Sequence, residues 1–103
     1  MYKLKYLKVS LKDMEKIIDY INTDLLNPSA ADKLADKFIE YAEKLKGFPY
    51  INPISYIAGK TKREYRKQIV DNYIIFYHVN EKKKLIAISR VLYSGRDYTN
   101  ILK

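Results

Sequence analysis

The sequence predicts an α+β fold in which a helical hairpin packs on a small twisted antiparallel sheet, with the element order β-α-α-β-β-β. Three observations support this prediction: an alternating apolar and charged start, two stretches with apolar residues every three or four positions, and three β-rich runs separated by short polar interruptions. The chain has 103 residues, 48% of them hydrophobic, with only 3 Gly and 3 Pro. This length and composition predict one folded domain spanning residues 1–103.

The first strand is predicted over Tyr2–Val9, where apolar residues alternate with lysines. Ser10, followed three positions later by Asp13, is typical of a helix N-cap with an acidic third residue. Asn27-Pro28 is predicted to end that helix. Its single apolar stripe consists of Leu11, Met14, Ile17, Ile18, Ile21 and Leu25.

A second amphipathic helix is predicted to begin at Ser29, which has Asp32 three positions on. Because only about four residues connect the two helices, they are expected to form an antiparallel hairpin. The stretch from Phe48 to Lys62 contains two prolines and a glycine and shows no sustained period, so it is predicted to be a connecting loop. The stripe of the second helix consists of Leu34, Ala35, Phe38, Ala42 and Leu45.

Three strands are predicted in the second half of the chain, over Arg63–Val70, Tyr73–Val79 and Leu85–Leu92. The interruptions between them, Asp71-Asn72 and the polar run 80–84, are short enough to imply hairpins and hence an antiparallel meander. The middle strand is apolar on both faces, as expected at the centre of a covered sheet. The tail that follows is expected to begin as a loop and to close with a helical turn.

The composition excludes several kinds of site. With no cysteine and a single histidine, His78, the chain cannot build a disulfide scaffold, a zinc ribbon or a catalytic thiol, so no cofactor and no metal are expected. His78 lies in an apolar strand and is expected to pack or to lie exposed on it rather than act as a general base. No apolar run approaches the roughly 20 residues that span a bilayer. We therefore expect no membrane partner and a cytoplasmic location.

The positive charge is concentrated in the second half of the chain. The sequence has 20 Lys and Arg against 12 Asp and Glu, a net charge of +8. Residues 59–103 hold 11 of these cations against 4 acids, whereas residues 1–58 hold 9 against 8. The second half is therefore expected to present a positive face to a polyanion such as RNA, DNA, the ribosome or an acidic protein. The run Lys82-Lys83-Lys84 lies at a predicted hairpin tip and is more typical of a solvated turn.

Two stretches, residues 65–77 and 88–98, resemble the RelE/ParE superfamily, the toxins of type II toxin–antitoxin pairs. Together with the order of elements, the resemblance covers nearly the whole chain. It implies the fold predicted above and, as a partner, a small acidic antitoxin. The segments that match the family pattern are Tyr65-Arg66, Tyr73–Tyr77, Arg90-Val91-Leu92-Tyr93 and Arg96-Asp97-Tyr98.

The resemblance implies one of two activities. RelE-like members cut mRNA in the ribosomal A site without a metal, whereas ParE-like members poison DNA gyrase and have no known hydrolytic site. The first hypothesis is therefore a toxin that inhibits translation by ribosome-dependent, metal-independent mRNA cleavage, with ribosome and mRNA as partners. The alternative is a non-enzymatic toxin that poisons DNA gyrase. A third hypothesis is a purely binding module that keeps the fold and the antitoxin interface.

For mRNA cleavage, attack of a 2′-OH on its own phosphate needs a base, an acid and donors that stabilise the growing negative charge. The alignment places Ile74 where RelE-like enzymes carry an Arg on the second strand of the meander, which disfavours cleavage. The resemblance implies Arg66, Tyr93, Arg96 and Tyr98 as catalytic residues, and Lys60, Lys62, Arg63, Lys67 and Arg90 are the nucleic-acid-binding candidates.

Several of these residues could instead have a structural role. Arg66 could instead pair with Glu64 or Asp97 on the surface of its strand, and the Arg96-Asp97 segment could brace a turn. Arg90 alternates with apolar residues, so it could point inward and pair with an acid. Tyr93 stands where ParE-like members carry the histidine of an Arg-Val-Leu-His segment, and some RNases also have His or Tyr near this point. Tyr93 therefore does not separate the two activities.

Overall fold

The computed structural model describes residues 1–102 and has two helices packed on a five-stranded sheet. The sheet order is β1-β5-β4-β3-β2. The strands are β1 (Lys3–Tyr6), β2 (Ile54–Ala58), β3 (Arg63–Val70), β4 (Tyr73–Asn80) and β5 (Leu85–Tyr93), and the helices are α1 (Lys8–Asp19) and α2 (Pro28–Lys44). The predicted α+β class is confirmed, but the sheet is mixed, because β1 runs parallel to β5 while all other neighbours are antiparallel.

Strand β4 lies at the centre of the sheet and is apolar on both faces, as predicted. Ile75 and Tyr77 face the two helices and join the larger hydrophobic core. Ile74 and Phe76 face the opposite side and join a second, smaller core. We call these two sides the helix face and the tail face.

The C-terminal tail covers the second side of the sheet. It closes with the predicted helical turn, in which the backbone N–H groups of Ile101 and Leu102 each donate to the Tyr98 carbonyl at 3.0 Å. Leu102 is buried in the smaller core beside Ala58 and Tyr65. Both faces of the sheet are thus shielded from water, which explains why its central strand carries so few polar side chains.

The predicted start of the first helix is wrong. The strand ends at Tyr6 rather than Val9, and α1 begins at Lys8. Ser10 therefore lies inside the first turn, where it is fully buried and its hydroxyl donates to the Leu7 carbonyl at 2.7 Å. Because Ser10 is the third residue of the helix, it cannot act as its cap; the N-cap position is Leu7, which makes no side-chain cap hydrogen bond.

The connection between the helices also differs from the prediction. After α1 the chain forms a π-helical turn over Tyr20–Asp24. The cap of α2 is Asn27 rather than Ser29, because the Asn27 side-chain oxygen accepts from the Ala30 N–H at 3.2 Å. Pro28 takes the first helical position, where its missing N–H costs nothing. None of the helices found among residues 1–102 is long and apolar enough to cross a membrane.

Strand β2 lies inside the stretch predicted to be a loop, so that prediction is wrong for Ile54–Ala58. It pairs antiparallel with β3 and forms one edge of the sheet. The pairing register shifts between Ile54 and Tyr56. Such a bulge interrupts the alternation of side chains along a strand, and this alternation is the signal that the sequence pattern relies on.

Candidate functional site

Strand β3 places two candidate residues on opposite faces of the sheet. The Arg66 guanidinium lies on the helix face, where it donates to the Asn52 carbonyl and stacks over the Tyr50 ring at 4.9 Å. The Lys67 ammonium lies on the tail face, 4.6 Å from the centre of the Tyr98 ring. Consecutive residues of a strand point to opposite sides, so this separation follows from the strand itself.

Arg66 lies beside a network of hydrogen bonds that connects Asn52, Gln68 and Tyr77. Asn52 donates to the Gln68 side-chain oxygen at 2.9 Å and to the Tyr77 hydroxyl at 3.3 Å. The Tyr77 hydroxyl in turn donates to the Pro49 carbonyl at 3.0 Å. Burial raises the pKa of Tyr77, opposed by the Asn52 hydrogen bond and the nearby Arg66 charge. These contacts hold the segment before β2 against the sheet.

Neither ion pair considered for Arg66 from the sequence is present among the described residues, where Glu64 and Asp97 form no salt bridge with it. The Asp97 carboxylate instead accepts from the Thr99 N–H at 3.0 Å and the Thr99 hydroxyl at 2.8 Å. These hydrogen bonds lower the pKa of Asp97. Asp97 therefore braces the turn that begins the tail.

Tyr98 packs as part of the smaller core. Its ring centre lies 4.9 Å from that of Phe76 and 5.8 Å from that of Tyr56. The Tyr56 hydroxyl donates a hydrogen bond to the Thr99 carbonyl at 3.2 Å. Lys67 and Tyr98 are thus two candidate residues whose side chains the fold brings into contact.

Arg90 takes the inward, acid-paired role that the sequence left open. Its Nε and Nη2 atoms donate to the two oxygens of Asp13 at 2.7 and 2.8 Å. The side chains of Arg90 and Asp13 are only 21% and 11% exposed. The hydrogen bond to Asp13 raises the pKa of Arg90. Asp13 thus engages two of the five guanidinium N–H donors and balances the charge of Arg90, which makes Arg90 a weaker ligand for a phosphate.

The remaining tail candidates, Tyr93 and Arg96, lie at the end of β5. The Tyr93 ring packs edge-on against Tyr73 with a centroid distance of 6.0 Å, yet more than half of the residue is exposed. It folds back over Gly95, where an added Cβ would come within 2.7 Å of the ring. The Arg96 side chain is exposed, and its backbone N–H donates to the Tyr93 carbonyl at 3.0 Å.

The three other cations, Lys60, Lys62 and Arg63, are exposed at the hairpin between β2 and β3. Arg63 begins β3, whereas Arg96 lies near the other end of that strand, because Val70 pairs with Tyr73 and Tyr73 with Tyr93. Eight residues of strand span roughly 25 Å. The candidate basic residues of the second half are thus dispersed over both faces and both ends of the sheet instead of forming one positive face.

Strand β4 supplies no arginine to either face. Ile74, which the resemblance aligns with that arginine, is 5% exposed and packs with Phe76 and Leu92. His78, on the same strand, has its Nδ1 atom 3.0 Å from the Glu64 carbonyl and is half-buried. It therefore has a backbone partner on the neighbouring strand.

A cluster of polar side chains around Glu81 was not predicted from the sequence. The hydroxyls of Tyr2 and Tyr50 both donate to the same oxygen of Glu81 at 2.6 Å, and Lys84 pairs with its other oxygen. These hydrogen bonds, led by that from Lys84, lower the pKa of Glu81 to about 2. The bond to Glu81 also raises the pKa of Tyr50 to about 12. The cluster ties the N-terminus and the segment before β2 to the β4–β5 hairpin.

Comparison with known proteins agrees with this fold. Residues 4–98 match the family model described as the ParE toxin of type II toxin–antitoxin systems, parDE. A chain of the chromosomal ParDE system from P. aeruginosa superposes with a TM-score of 0.72 at 21% identity, covering 90% of this chain and 96% of that one. A comparison with curated protein sequences gives no significant match.

RelE structures are also similar. A chain of the archaeal RelE–RelB complex from Pyrococcus horikoshii OT3 gives a TM-score of 0.63 at 21% identity, covering 93% of this chain and 98% of that one. The isolated E. coli RelE toxin gives 0.56 at 17% identity, covering 98% and 93%. The fold is thus that of the RelE/ParE superfamily, and the protein is a toxin of the type II toxin–antitoxin class. Within this class, the chain belongs to the ParE toxin family.

Proposed function

We propose that this toxin acts by binding DNA gyrase and poisoning it, without hydrolysing RNA. The observation that carries the proposal is the position of Arg66 and Tyr98 on opposite faces of the sheet. RNA cleavage needs its general acid, its base and its charge-stabilising donors within hydrogen-bond reach of one phosphate. Side chains on the two faces of one sheet cannot contact the same phosphate.

The other candidate groups support the same proposal. Arg90 is held by Asp13, and Arg96 lies at the opposite end of β3 from the cations of the β2–β3 hairpin. Ile74 fills the place of the second-strand arginine with a buried apolar side chain. The match of residues 4–98 to the ParE model favours the gyrase target, because gyrase poisoning is the activity that the resemblance attaches to that branch.

One contact favours ribosome-dependent mRNA cleavage as a second candidate. The Lys67 ammonium lies over the Tyr98 ring at 4.6 Å, which brings a cation of β3 to a phenol of the tail. A cation beside the tail stabilises negative charge that grows on a bound phosphate, which is one requirement of RNA cleavage.

The two candidates are separated by assaying the purified toxin on gyrase and on programmed ribosomes. We expect loss of negative supercoiling and accumulation of double-strand breaks with gyrase, while the mRNA stays intact. Tyr98→Phe should inhibit gyrase as wild type does, because it keeps the packed ring. Cleaved mRNA together with unimpaired gyrase would overturn the proposal in favour of the ribonuclease.

Induced expression tests whether the chain is a toxin with a cellular target or a binding module. Growth arrest that is relieved by the antitoxin is the expected result. Normal growth with confirmed expression of folded protein would favour the binding module and contradict the gyrase proposal.

A further inference from the structure

A small hollow lies on the tail face of the sheet, toward the β4–β5 hairpin. Arg63 and Tyr65 of β3 are two positions apart and so point to the same side, and Tyr65 belongs to the smaller core. The hollow has a volume of about 200 Å³ and is lined by residues of β1, β3, β4 and β5. Four strands therefore bring side chains to one concavity. Its polar lining residues are Lys5, Arg63, His78, Asn80 and Ser89.

The register of the strands explains why a hollow forms here. Ala87 of β5 pairs with Lys5 of β1 on one side and with His78 of β4 on the other. Paired residues of neighbouring strands point to the same face, and the strands lie about 4.8 Å apart. The Cα atoms of Lys5 and His78 are thus roughly 10 Å apart, across two strand spacings. Because the Ala87 side chain between them is a methyl group, the space above it stays open.

The charges around the hollow are positive. Lys5 and Arg63 are exposed, and neither forms a salt bridge with another residue between 1 and 102. The lining residues within this described part of the chain include no Asp and no Glu. Cations of one sign in a concave surface strengthen the local field and attract counter-ions. The hollow is therefore suited to an anion.

His78 and Asn80 offer hydrogen bonds to such an anion. The Nδ1 atom of His78 lies 3.0 Å from the Glu64 carbonyl, which can only accept, so Nδ1 carries a proton. Nε2 is then the ring nitrogen left for a ligand, as an acceptor in neutral imidazole and as a donor in imidazolium. The Asn80 oxygen accepts from the Lys83 N–H at 3.1 Å, which leaves the Asn80 amide NH₂ as a donor.

The size and the donor set of the hollow indicate the ligand. Sites for drug-sized molecules measure roughly 300 to 1,000 Å³, so a hollow of about 200 Å³ takes a small group. A phosphate that keeps one P–O–H has acceptor oxygens for the cations and for the Asn80 amide. It also has a hydroxyl that can donate to Nε2 of His78. A carboxylate has fewer oxygens and no such donor.

We propose that this hollow binds a phosphate group with a free P–O–H, supplied by inorganic phosphate or by the terminal phosphate of a nucleotide. Lys5 and Arg63 balance its charge, while His78 and Asn80 hydrogen-bond to it. The site is separate from the contact of Lys67 with Tyr98, because Arg63 and Lys67 are four strand positions, roughly 13 Å, apart. The inference does not depend on the target of the toxin, and it is tested without gyrase or ribosomes.

NMR of the full-length toxin tests the proposal through His78, which is the only histidine of the chain. The protein is titrated with inorganic phosphate and, separately, with adenosine 5′-monophosphate, at fixed pH and at an ionic strength balanced with sodium chloride. We expect a saturable shift of the His78 ring-proton signals. Tighter binding of the nucleotide would identify it as the source of the phosphate, and equal binding would identify inorganic phosphate. No saturable shift with either probe, or the same shift with chloride alone, would overturn the proposal.

Dimethyl phosphate distinguishes this ligand from the backbone of a nucleic acid, since it is a diester without a P–O–H. Its Kd should be at least fivefold higher than that of inorganic phosphate. Tighter binding of the diester would contradict the proposal and point to a nucleic-acid backbone.

Matched substitutions show whether the hollow itself is the site. Lys5→Gln and Arg63→Gln each remove one positive charge from the hollow, and Lys12→Gln removes one from an exposed position on α1. We expect the Kd for inorganic phosphate to rise at least fivefold in the first two variants and less than twofold in the third. Ala87→Leu fills the hollow without a change of charge and should abolish the His78 shift, with all variants folded by circular dichroism. Equal weakening by Lys5→Gln and Lys12→Gln would contradict a localised site.

Discussion

Asp13 of α1 covers the open edge of β5 and forms a bidentate ion pair with Arg90. The same carboxylate accepts a third hydrogen bond, at 3.0 Å, from the backbone N–H of Val91. Strand β1 ends at Tyr6, whose partner on β5 is Ile88, so beyond that point β5 has no strand neighbour on its β1 side. The Asp13 side chain therefore takes the place of the missing strand and fixes α1 against the sheet.

Asp13→Asn should lower the free energy of unfolding by about 2 kcal/mol, because it leaves the guanidinium of Arg90 without its countercharge in a mostly buried place. Urea denaturation monitored by circular dichroism measures the change. Asp71→Asn is the matched control: it breaks the exposed Lys37–Asp71 pair, in which both side chains are nearly half exposed, and should cost less than about 1 kcal/mol. Equal losses in the two variants would contradict a structural role for the Asp13 pair.

Tyr98→Ala should lower the free energy of unfolding by about 2 kcal/mol, because it removes the ring that packs on Phe76 and Tyr56. Tyr98→Phe keeps the ring and should change it by less than about 0.5 kcal/mol. Both values come from denaturant unfolding, and toxicity should follow stability. If Tyr98→Phe is fully folded but no longer toxic, the hydroxyl acts chemically and Tyr98 is not only a packing residue.

The protein should become less stable in acid, because protonation of Glu81 weakens the hydrogen bonds that it accepts in the folded state. Its pKa is lowered from 4.5 to about 2 in the folded protein, so its contribution is complete above about pH 4.5 and is lost as the pH falls toward 2. Glu81→Gln should therefore show a weaker decrease of the thermal midpoint over this interval than wild type. Glu40→Gln, which alters an exposed i,i+4 pair with Lys44, serves as the control and should follow the wild-type curve.

Gly95→Ala should displace the Tyr93 ring, since the new Cβ would lie 2.7 Å from its Cε2 atom. The ring is more than half exposed and can rotate away, so the cost in unfolding free energy should stay below about 1 kcal/mol. Changed NMR shifts of the Tyr93 and Tyr73 ring protons would report the movement. In a Tyr93→Ala background, Gly95→Ala should leave the Tyr73 shifts unchanged, because the ring that the new Cβ displaces is absent.

Much of the fold could be predicted because the patterns that indicate helices and hairpins involve residues close together in the sequence. The stripe that includes Leu34 and Phe38 identified α2, and the polar pair Asp71-Asn72 located the β3–β4 hairpin. The placement of Arg66 and Lys67 on opposite faces was also available from the sequence, since strand side chains alternate. Arg66 and Lys67 therefore cannot both belong to one site on a single face of the sheet.

The two helices, the three-stranded meander and the absence of cysteine chemistry follow from residue type and short-range spacing. The parallel pairing of β1 with β5, the contact of Arg90 with Asp13 and the hydrogen bonds of Tyr2 and Tyr50 to Glu81 became known only from the folded structure. The side-chain partners among these lie between 31 and 79 residues apart in the chain. Contacts at such separations depend on how whole elements pack, and no periodicity in the sequence encodes that packing.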